Sequence, residues 1–306
     1  MANTFLTPDV IAANAMATLY ENLCMVPLVY TDVSSDFTKA KVGDTVNIRK
    51  PATFEAKTFD RVAGIELQDA TEENIPVKLD KIADVSFAVT SEDMTLHLED
   101  FDAQLLQPAC EALAQKIDRE LLKLRSDITQ VVGESTQSGF EWDKPEALIE
   151  AGRLLNIAKV PTSQRHAVVG PTTHAKWLNS PLLKQADQSG ETAALRQGSI
   201  GRNLFGFDAY MTQNIEQSAG TPAVGQPTTE VGIAFHQNAF ALASAPLALP
   251  TDSTWAAVQN YKGISIRVAK QYDITHKKEI VSLDVLYGVK TIDKNRAAII
   301  RGDLKK

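Results

Sequence analysis

The stretch from His97 to Leu124, HLEDFDAQLLQPACEALAQKIDRELLKL, decides how the rest of the chain is interpreted. Its apolar residues recur mostly three or four residues apart, which is the spacing of one face of an α-helix. These apolar positions are Phe101, Leu105, Leu106, Ala109, Leu113, Ile117, Leu121 and Leu124. The other face is polar and carries Asp102, Gln107, Glu111, Gln115, Asp118, Arg119 and Lys123. Because Pro108 lies inside the stretch, the sequence predicts either a kink there or a helix that begins near Gln107.

Length and composition limit what this helix can belong to. The chain has 306 residues, of which 44% are hydrophobic and 23% charged, which is enough for a sizeable core. The net charge of −7 argues against a sequence-independent nucleic-acid binder but not against a protein that lies near nucleic acid. The two cysteines, Cys24 and Cys110, have neither metal-site nor disulfide spacing, so both are expected to be buried free thiols. No stretch is long and apolar enough to suggest a membrane span.

Before the long helix, the sequence predicts a terminal helix and a ribbon. Thr7-Pro8 is a helix-start signal, and the helix is expected to run to about Leu23. It leads into an extended connector, so it could pack on its own subunit or on a neighbour. From about Val42 to Thr90 the alternation of apolar and polar residues indicates a long hairpin. An isolated ribbon is marginally stable, so it needs support from its own domain or from another subunit; the alternative is a larger local sheet.

After the long helix, two further regions are distinguishable. Helix and strand signals alternate from about Val131 to Pro250, which suggests a compact α+β or α/β subdomain. The clearest hairpin follows, with alternation around Ile266 and Leu283. The simplest arrangement packs this hairpin on the long helix and makes the middle subdomain an insertion between them.

No motif for a nucleotide, a metal or a nucleophile occurs in the sequence. The histidines are scattered singly, and His166 with His174 is the one pair for which a shared site is conceivable. Acidic pairs at Glu92-Asp93 and Glu99-Asp100 suit a solvated helix start better than a cation site. We therefore predict no catalytic, cofactor-binding or metal-binding residues and no cofactor. An α+β enzyme with an unrecognised site in the middle subdomain remains the alternative.

Short pieces of sequence, in order along nearly the whole chain, resemble the major capsid proteins of tailed bacteriophages. The resemblance is to proteins with the Hong Kong 97-type fold, in the branch that includes coat proteins of short-tailed phages. The pieces are Thr4–Pro8, Val42–Pro51, Val85–Thr90, Leu105–Ala109, Ile117-Asp118, Arg165–Pro171, Gly206–Tyr210 and Asp284–Gly288. The ordered set carries the resemblance, since no single piece is diagnostic.

The resemblance implies an α+β capsid fold in four parts. Residues 1–41 would be an N-terminal arm, and residues 42–90 an extended β-hairpin loop that lies over a neighbouring subunit. The long helix would be the spine of a peripheral domain with a β-sheet, formed by residues 91–130 and 251–306. Residues 131–250 would be an inserted α/β axial domain around the five- and six-fold axes.

The function implied is self-assembly into the icosahedral head shell that encloses phage double-stranded DNA. The partners would be copies of the same chain, in pentamers and hexamers, together with a portal and a separate scaffolding protein if there is one. DNA would be enclosed without sequence-specific binding, and no membrane would be involved. The protein would be part of the virion and assembled in the host bacterial cytoplasm. Another phage structural part, such as a tail or decoration protein, is a further alternative.

Four basic residues of the loop are the only site residues that we predict. Arg49, Lys50, Lys57 and Arg61 are expected to contact acidic groups on adjacent subunits. Their charges lie on the segment that, by the resemblance, reaches out of its own subunit.

Overall fold

The computed structural model describes residues 8–31, 45–50, 61, 73–90, 105–184, 203–250 and 255–306. Its helices are α1 (Pro8–Asn22), α2 (Gln107–Lys123), α3 (Ala147–Ile157), α4 (Pro171–Leu178) and α5 (Pro181–Lys184). Short 3₁₀ turns lie at Val26–Leu28, Leu124–Asp127, Gln237–Ala239 and Lys294–Arg296. The strands are β1 (Thr45–Lys50), β2 (Glu73–Lys78), β3 (Lys81–Thr90), β4 (Val131–Val132), β5 (Arg165–Val169), β6 (Asp208–Met211), β7 (Gly232–His236), β8 (Phe240–Ala245), β9 (Ala256–Tyr261), β10 (Ile264–Asp273), β11 (Lys278–Thr291) and β12 (Ala297–Ile300). The fold is α+β, as predicted.

Helix α2 begins at Gln107, so the second of the two expectations for Pro108 is confirmed. Proline is tolerated in the first turn because the amide that it lacks would have had no partner within the helix. Residues 97–104 of the predicted stretch lie outside the described residues. The apolar face is confirmed, since Leu113, Ile117 and Leu121 are each about 1% exposed. Asp118, which the pattern assigned to the polar face, is instead completely buried.

The first sheet lies against α2 and holds the predicted terminal hairpin. Its strand order is β3-β11-β10-β9, and β8 also pairs with β11. The hairpin is confirmed as the antiparallel pair β10–β11, with Arg267 opposite Asp284 and Asp273 opposite Lys278. We call this the peripheral sheet. Its residues pack with those of α1 and α2 in one continuous hydrophobic core.

The long ribbon is shorter than the sequence pattern suggested. β1 pairs with β2 from Thr45 opposite Lys78 to Lys50 opposite Glu73. β3 leaves the ribbon and pairs along its whole length with β11, so it belongs to the peripheral sheet. The half-buried Val85 and Phe87 pack against the main core there. The alternative of a larger local sheet therefore describes β3, whereas β1 and β2 form a separate two-stranded ribbon.

The middle subdomain is built on a second, mixed sheet of order β4-β12-β7-β5-β6. β5 pairs in parallel with β6 and antiparallel with β7. β12 comes from near the end of the chain and is inserted between β4 and β7. The C-terminal segment thus crosses from the first sheet into the second. A second hydrophobic cluster, with Leu148, Trp177 and Phe207 in its centre, packs α3 and α4 against this sheet.

Candidate assembly surfaces

The terminal helix α1 packs on its own subunit. One face of α1 is buried against α2 and the peripheral sheet through Ile11, Ala15 and Leu19. The thiol of Cys110 on α2 donates a hydrogen bond to the carbonyl oxygen of Ala15 over 3.4 Å. The sequence does not determine whether this helix packs on its own subunit or on a neighbour, and in the structure it packs on its own subunit.

The carboxylate of Asp118 joins three parts of the molecule. Its two oxygens accept hydrogen bonds from the backbone amides of Cys24 and Met25, each over 3.0 Å, just after α1 ends. The side-chain amide of Asn214, which follows β6 in the middle subdomain, donates a third bond over 3.4 Å. Burial raises the pKa of Asp118 to about 6, although these hydrogen bonds act in the opposite direction.

The described part of the ribbon is supported by its own chain. Val46 and Val77 are buried against the small side chains of Ala241, Ala243 and Ala245 on β8. The glycine at position 288 also lets β2 lie close to β11, because a Cβ added to Gly288 would overlap the carbonyl oxygen of Lys78. The apolar face at the base of the ribbon is therefore covered by residues of its own subunit. Residues 51–60 and 62–72, which join β1 to β2 around Arg61, are outside the described residues.

The four predicted contact residues are the last two residues of β1 and two residues that follow it in sequence. Arg49 and Lys50 are the last residues of β1, at register positions opposite Asn74 and Glu73. Arg61 is in a turn and is exposed. Lys57 lies outside the described residues. The structure thus places Arg49 and Lys50 on the same strand end, and a single chain leaves their contacts with adjacent subunits as a prediction.

The face of the peripheral sheet that points away from α2 carries a polar network. Asp84 on β3 is exposed and lies directly opposite Asp284 on β11. Its carboxylate accepts hydrogen bonds from the hydroxyls of Ser86 and Ser282, over 2.9 and 3.0 Å. A hydrogen bond with Asp284, followed by these hydroxyls, lowers the pKa of Asp84. Arg267 pairs with Asp284 over 2.5 Å, and its positive charge also lowers the pKa of Asp84.

The two histidines of the enzyme alternative are held in different surroundings. His166 on β5 is half-buried between the rings of Tyr210 and Phe235, and burial lowers its pKa. His174 lies in α4. An open cleft of about 770 Å³ in this subdomain is lined by residues of α3 and its neighbours, including Arg153 and Arg165, and by neither histidine. The guanidinium of Arg165 is already bound to the carbonyl oxygens of Val160 and Pro161.

The remaining sequence expectations concern thiols, metals and membranes. Both cysteines are free thiols, as predicted, but only Cys110 is fully buried, whereas Cys24 is half-buried. Burial raises the pKa of both thiols to about 12, which makes them inert. Among the described residues no group of three or more ligand side chains is placed to hold a metal ion. The acidic pairs at 92–93 and 99–100 lie outside them. None of the helices in the described ranges combines the length and apolar character that crossing a bilayer requires.

Structures of phage capsids are among the solved structures with the same overall architecture. A structure of Mycobacterium phage Che8 matches with a TM-score of 0.67 and 20% identity, covering 90% of this chain and 90% of that chain. The capsid of Cyanophage P-SCSP1u matches with a TM-score of 0.62 and 10% identity, covering 87% and 85%. The capsid of Ralstonia phage GP4 matches with a TM-score of 0.59 and 12% identity, covering 91% and 87%. A terminal helix, a ribbon, a spine helix under one sheet and an inserted second sheet thus define the class: a Hong Kong 97-type capsid fold.

The family follows from the sequence match. The family described as "P22 coat protein - gene protein 5" matches residues 3–232. The chain belongs to this family and is a major capsid protein of a tailed phage, whose copies build the shell of the virion. No curated protein matches the sequence. The fold class and the family predicted from the sequence are both confirmed.

Sequence reasoning missed two residues that position the assembly elements, Asp118 and Gly288. Both lie in pieces that carry the family resemblance, Ile117-Asp118 and Asp284–Gly288, but their partners are remote in sequence. The amides that Asp118 binds are 93 and 94 residues away. A glycine inside an otherwise apolar strand was the one local signal for Gly288, since it often marks close approach of another backbone.

Proposed function

We propose that copies of this chain assemble, as pentamers and hexamers, into an icosahedral head that encloses double-stranded DNA, and that the chain has no catalytic role. Membership of the coat protein family, over residues 3–232, is the observation that carries this proposal. Assembly in the host bacterial cytoplasm, a portal and a separate scaffolding protein, if one is used, belong to the same proposal.

Electron microscopy of the purified protein tests it. Negative staining should show shells, capsomers or tubes of uniform wall thickness under at least one assembly condition. Nuclease-protected DNA in particles from infected cells should accompany closed shells. A particle that stays a compact monomer under every assembly condition would refute the proposal.

We also propose that different parts of the chain form different regions of the shell. The N-terminal arm (1–41) and the spine helix with the peripheral sheet (91–130 and 251–306) would form the body of the wall. The middle subdomain (131–250) would form the axial contacts of each capsomer. The position of β3 supports ending the extended loop near Lys78 instead of Thr90, and that of β12 supports assigning residues 297–300 to the axial sheet.

The basic residues of the loop would connect neighbouring subunits. Arg49, Lys50, Lys57 and Arg61 would reach acidic groups on an adjacent copy, because the segment between β1 and β2 is long enough to leave its own subunit. Its 22 residues, counted from 51 to 72, could extend a ribbon by roughly 35 Å at about 3.3 Å per residue in each arm. We take Asp84 as the acceptor for these basic residues, since it is exposed on the sheet face that points away from α2 and its lowered pKa favours the ionised form.

A further inference from the structure

A second charged feature lies on the opposite side of the peripheral sheet, at the C-terminal end of α2. A cleft of about 230 Å³ there is lined by four cations and two carboxylates, together with one amide and one apolar side chain: Lys116, Arg119, Lys123, Arg125, Glu120, Glu216, Asn214 and Leu122. Lys116 and Lys123 have side chains that are 58% and 65% exposed. Four cations around one small cleft are unexpected in a chain whose net charge is −7.

The anions nearest to these cations are already engaged. Glu120 binds the ammonium groups of Lys123 and Lys81, over 2.8 and 2.6 Å, and hydrogen bonds from these two groups are the main reason that its pKa falls to about 2. Glu216 is 3.4 Å from Arg125. The cleft is thus lined by four cations and two carboxylates, so the cations are in excess. Arg119 is exposed and forms no ion pair with any residue in the described parts of the chain.

Stabilisation of the helix end explains only part of this arrangement. Cations in the last turn of a helix interact favourably with its negative end, and this accounts for Lys123 and Arg125. The effect fades within one turn, so it does not account for Lys116 or Arg119. Lys116 could support the helix through Glu120 four residues later, but their separation of 3.8 Å makes this a weak contact.

We propose that this cleft contacts the phosphate backbone of the enclosed double-stranded DNA. Lys116, Arg119 and Lys123 follow one face of a straight helix and are about 4.5 and 6 Å apart along its axis. Successive charges of a duplex strand are separated by a comparable distance, with about 3.4 Å of axial rise per strand phosphate. A row of cations along one helix face can thus meet two or three phosphates, with Arg119 making the first contact because its guanidinium forms no ion pair with the described residues. The inference rests on the proposed function, because it assumes that the shell holds DNA.

The lining of the cleft favours a polyanion over an acidic protein segment. Among the described residues that line it, Leu122 alone is apolar, and it is only 3% exposed. Protein–protein contacts have an apolar or aromatic centre that carries most of the binding energy, and this lining offers none. Phosphates need only charge and hydrogen-bond donors, which the guanidinium and ammonium groups supply.

Each contact would be weak because the chain as a whole is acidic. Two or three phosphates per copy give a salt dependence with a slope of about −2 to −3 in a plot of log K against log salt. The surrounding acidic surface opposes tighter adhesion. Many weak contacts over a shell would hold DNA close to the wall and still release it at little cost.

Binding of purified, unassembled subunits to a fluorescent DNA duplex of about 20 base pairs tests the proposal. Removing two of the contacting charges, in Lys116→Gln/Arg119→Gln, should weaken binding about tenfold at roughly 50 mM salt and reduce the slope by about 1.8. The matched control is Lys159→Gln/Lys294→Gln, which removes the same charge from two exposed lysines elsewhere and should leave both quantities near wild type.

Two results would overturn the proposal. One is equal weakening in both double variants, which would mean a response to net charge alone. The other is cleft-dependent binding of poly-glutamate without cleft-dependent binding of DNA, which would assign the cleft to an acidic protein partner. Shell formation by the same variants is scored separately by electron microscopy. Wild-type protein that forms no shells would count against the proposed function, whereas wild-type shells together with unchanged DNA binding by Lys116→Gln/Arg119→Gln would count against this inference alone.

Discussion

The carboxylate of Asp118 fixes the chain that leaves the terminal helix. Replacing it in Asp118→Ala would leave the amides of Cys24 and Met25 buried without an acceptor, so we expect a loss of about 2 to 4 kcal/mol in the free energy of unfolding. Gln115→Ala, on the exposed face of the same helix, is the matched control and should cost less than about 0.5 kcal/mol. Denaturant titration of both variants measures the difference. Equal losses of unfolding free energy in Asp118→Ala and Gln115→Ala would show that Asp118 contributes no more to stability than an exposed position of the same helix.

The same residue should give the protein an unusual pH dependence. The folded pKa of about 6 lies above the ordinary value of 3.8, so the folded state binds a proton more readily than the unfolded state. The stability contributed by this protonation is fully present below about pH 4 and is lost as the pH rises through about 6. It amounts to roughly 2 to 3 kcal/mol, because each tenfold difference in proton affinity between the two states corresponds to about 1.4 kcal/mol.

Asp118→Asn removes this titration. We expect the difference in unfolding free energy between wild type and variant to change between about pH 4 and pH 7, with wild type gaining on the acidic side. Comparing the two proteins cancels the carboxylates with lowered pKa, such as Glu120 and Glu141, which lose their contribution as the pH falls. A difference that stays constant across this range would contradict a raised pKa.

Among the elements, the ribbon depends on how closely β2 approaches β11. A methyl group in Gly288→Ala would overlap the carbonyl oxygen of Lys78, and neither backbone can yield without losing sheet hydrogen bonds. We expect a loss of about 1 to 3 kcal/mol and, since the ribbon base is displaced, faster tryptic cleavage near Lys50 and Lys78. Gly220→Ala, where an added Cβ meets nothing within 4 Å, is the control. Unchanged cleavage in Gly288→Ala would mean that the ribbon is anchored elsewhere.

The elements also show which parts of the fold a sequence can predict. The face of α2 and the β10–β11 hairpin were predictable because their periodicity and pairing are local. The alternation of β3 resembles that of β2 and so predicts a place on the ribbon, while its real partner, β11, lies almost two hundred residues later. The helical pattern assigns Asp118 to the polar face because nothing near it in sequence signals the two distant amides. The local sequence pattern is therefore enough to predict individual helices and strands. Pairing between segments that are distant in sequence determines the sheet to which each strand belongs.

For the whole molecule, the surfaces that remain free on one subunit determine how it is connected to the next. The ribbon base and the terminal helix are both packed on their own subunit, so shell contacts must come from the segment beyond the ribbon or from uncovered faces. Arg61 and Asp84 are both exposed and have opposite charges, so they are the described pair that such a contact would use. A contact of this kind joins different patches of two copies, and it can close into rings when the rotation between copies permits.

Charge reversal distinguishes this contact from a general effect of net charge. Lys57→Glu/Arg61→Glu and, separately, Asp84→Lys should each reduce the yield of shells by about tenfold or more, because like charges would face each other across the interface. Circular dichroism should show that both variants remain folded, since Arg61 and Asp84 are exposed. Lys159→Glu/Lys294→Glu, with the same change in net charge as the loop variant, should assemble normally.

Combining Lys57→Glu/Arg61→Glu with Asp84→Lys restores complementary charges and should recover much of the yield, measured by sedimentation and electron microscopy. Normal assembly of the loop variant would exclude these cations as contacts, and a combined variant no better than its parents would exclude Asp84 as their acceptor.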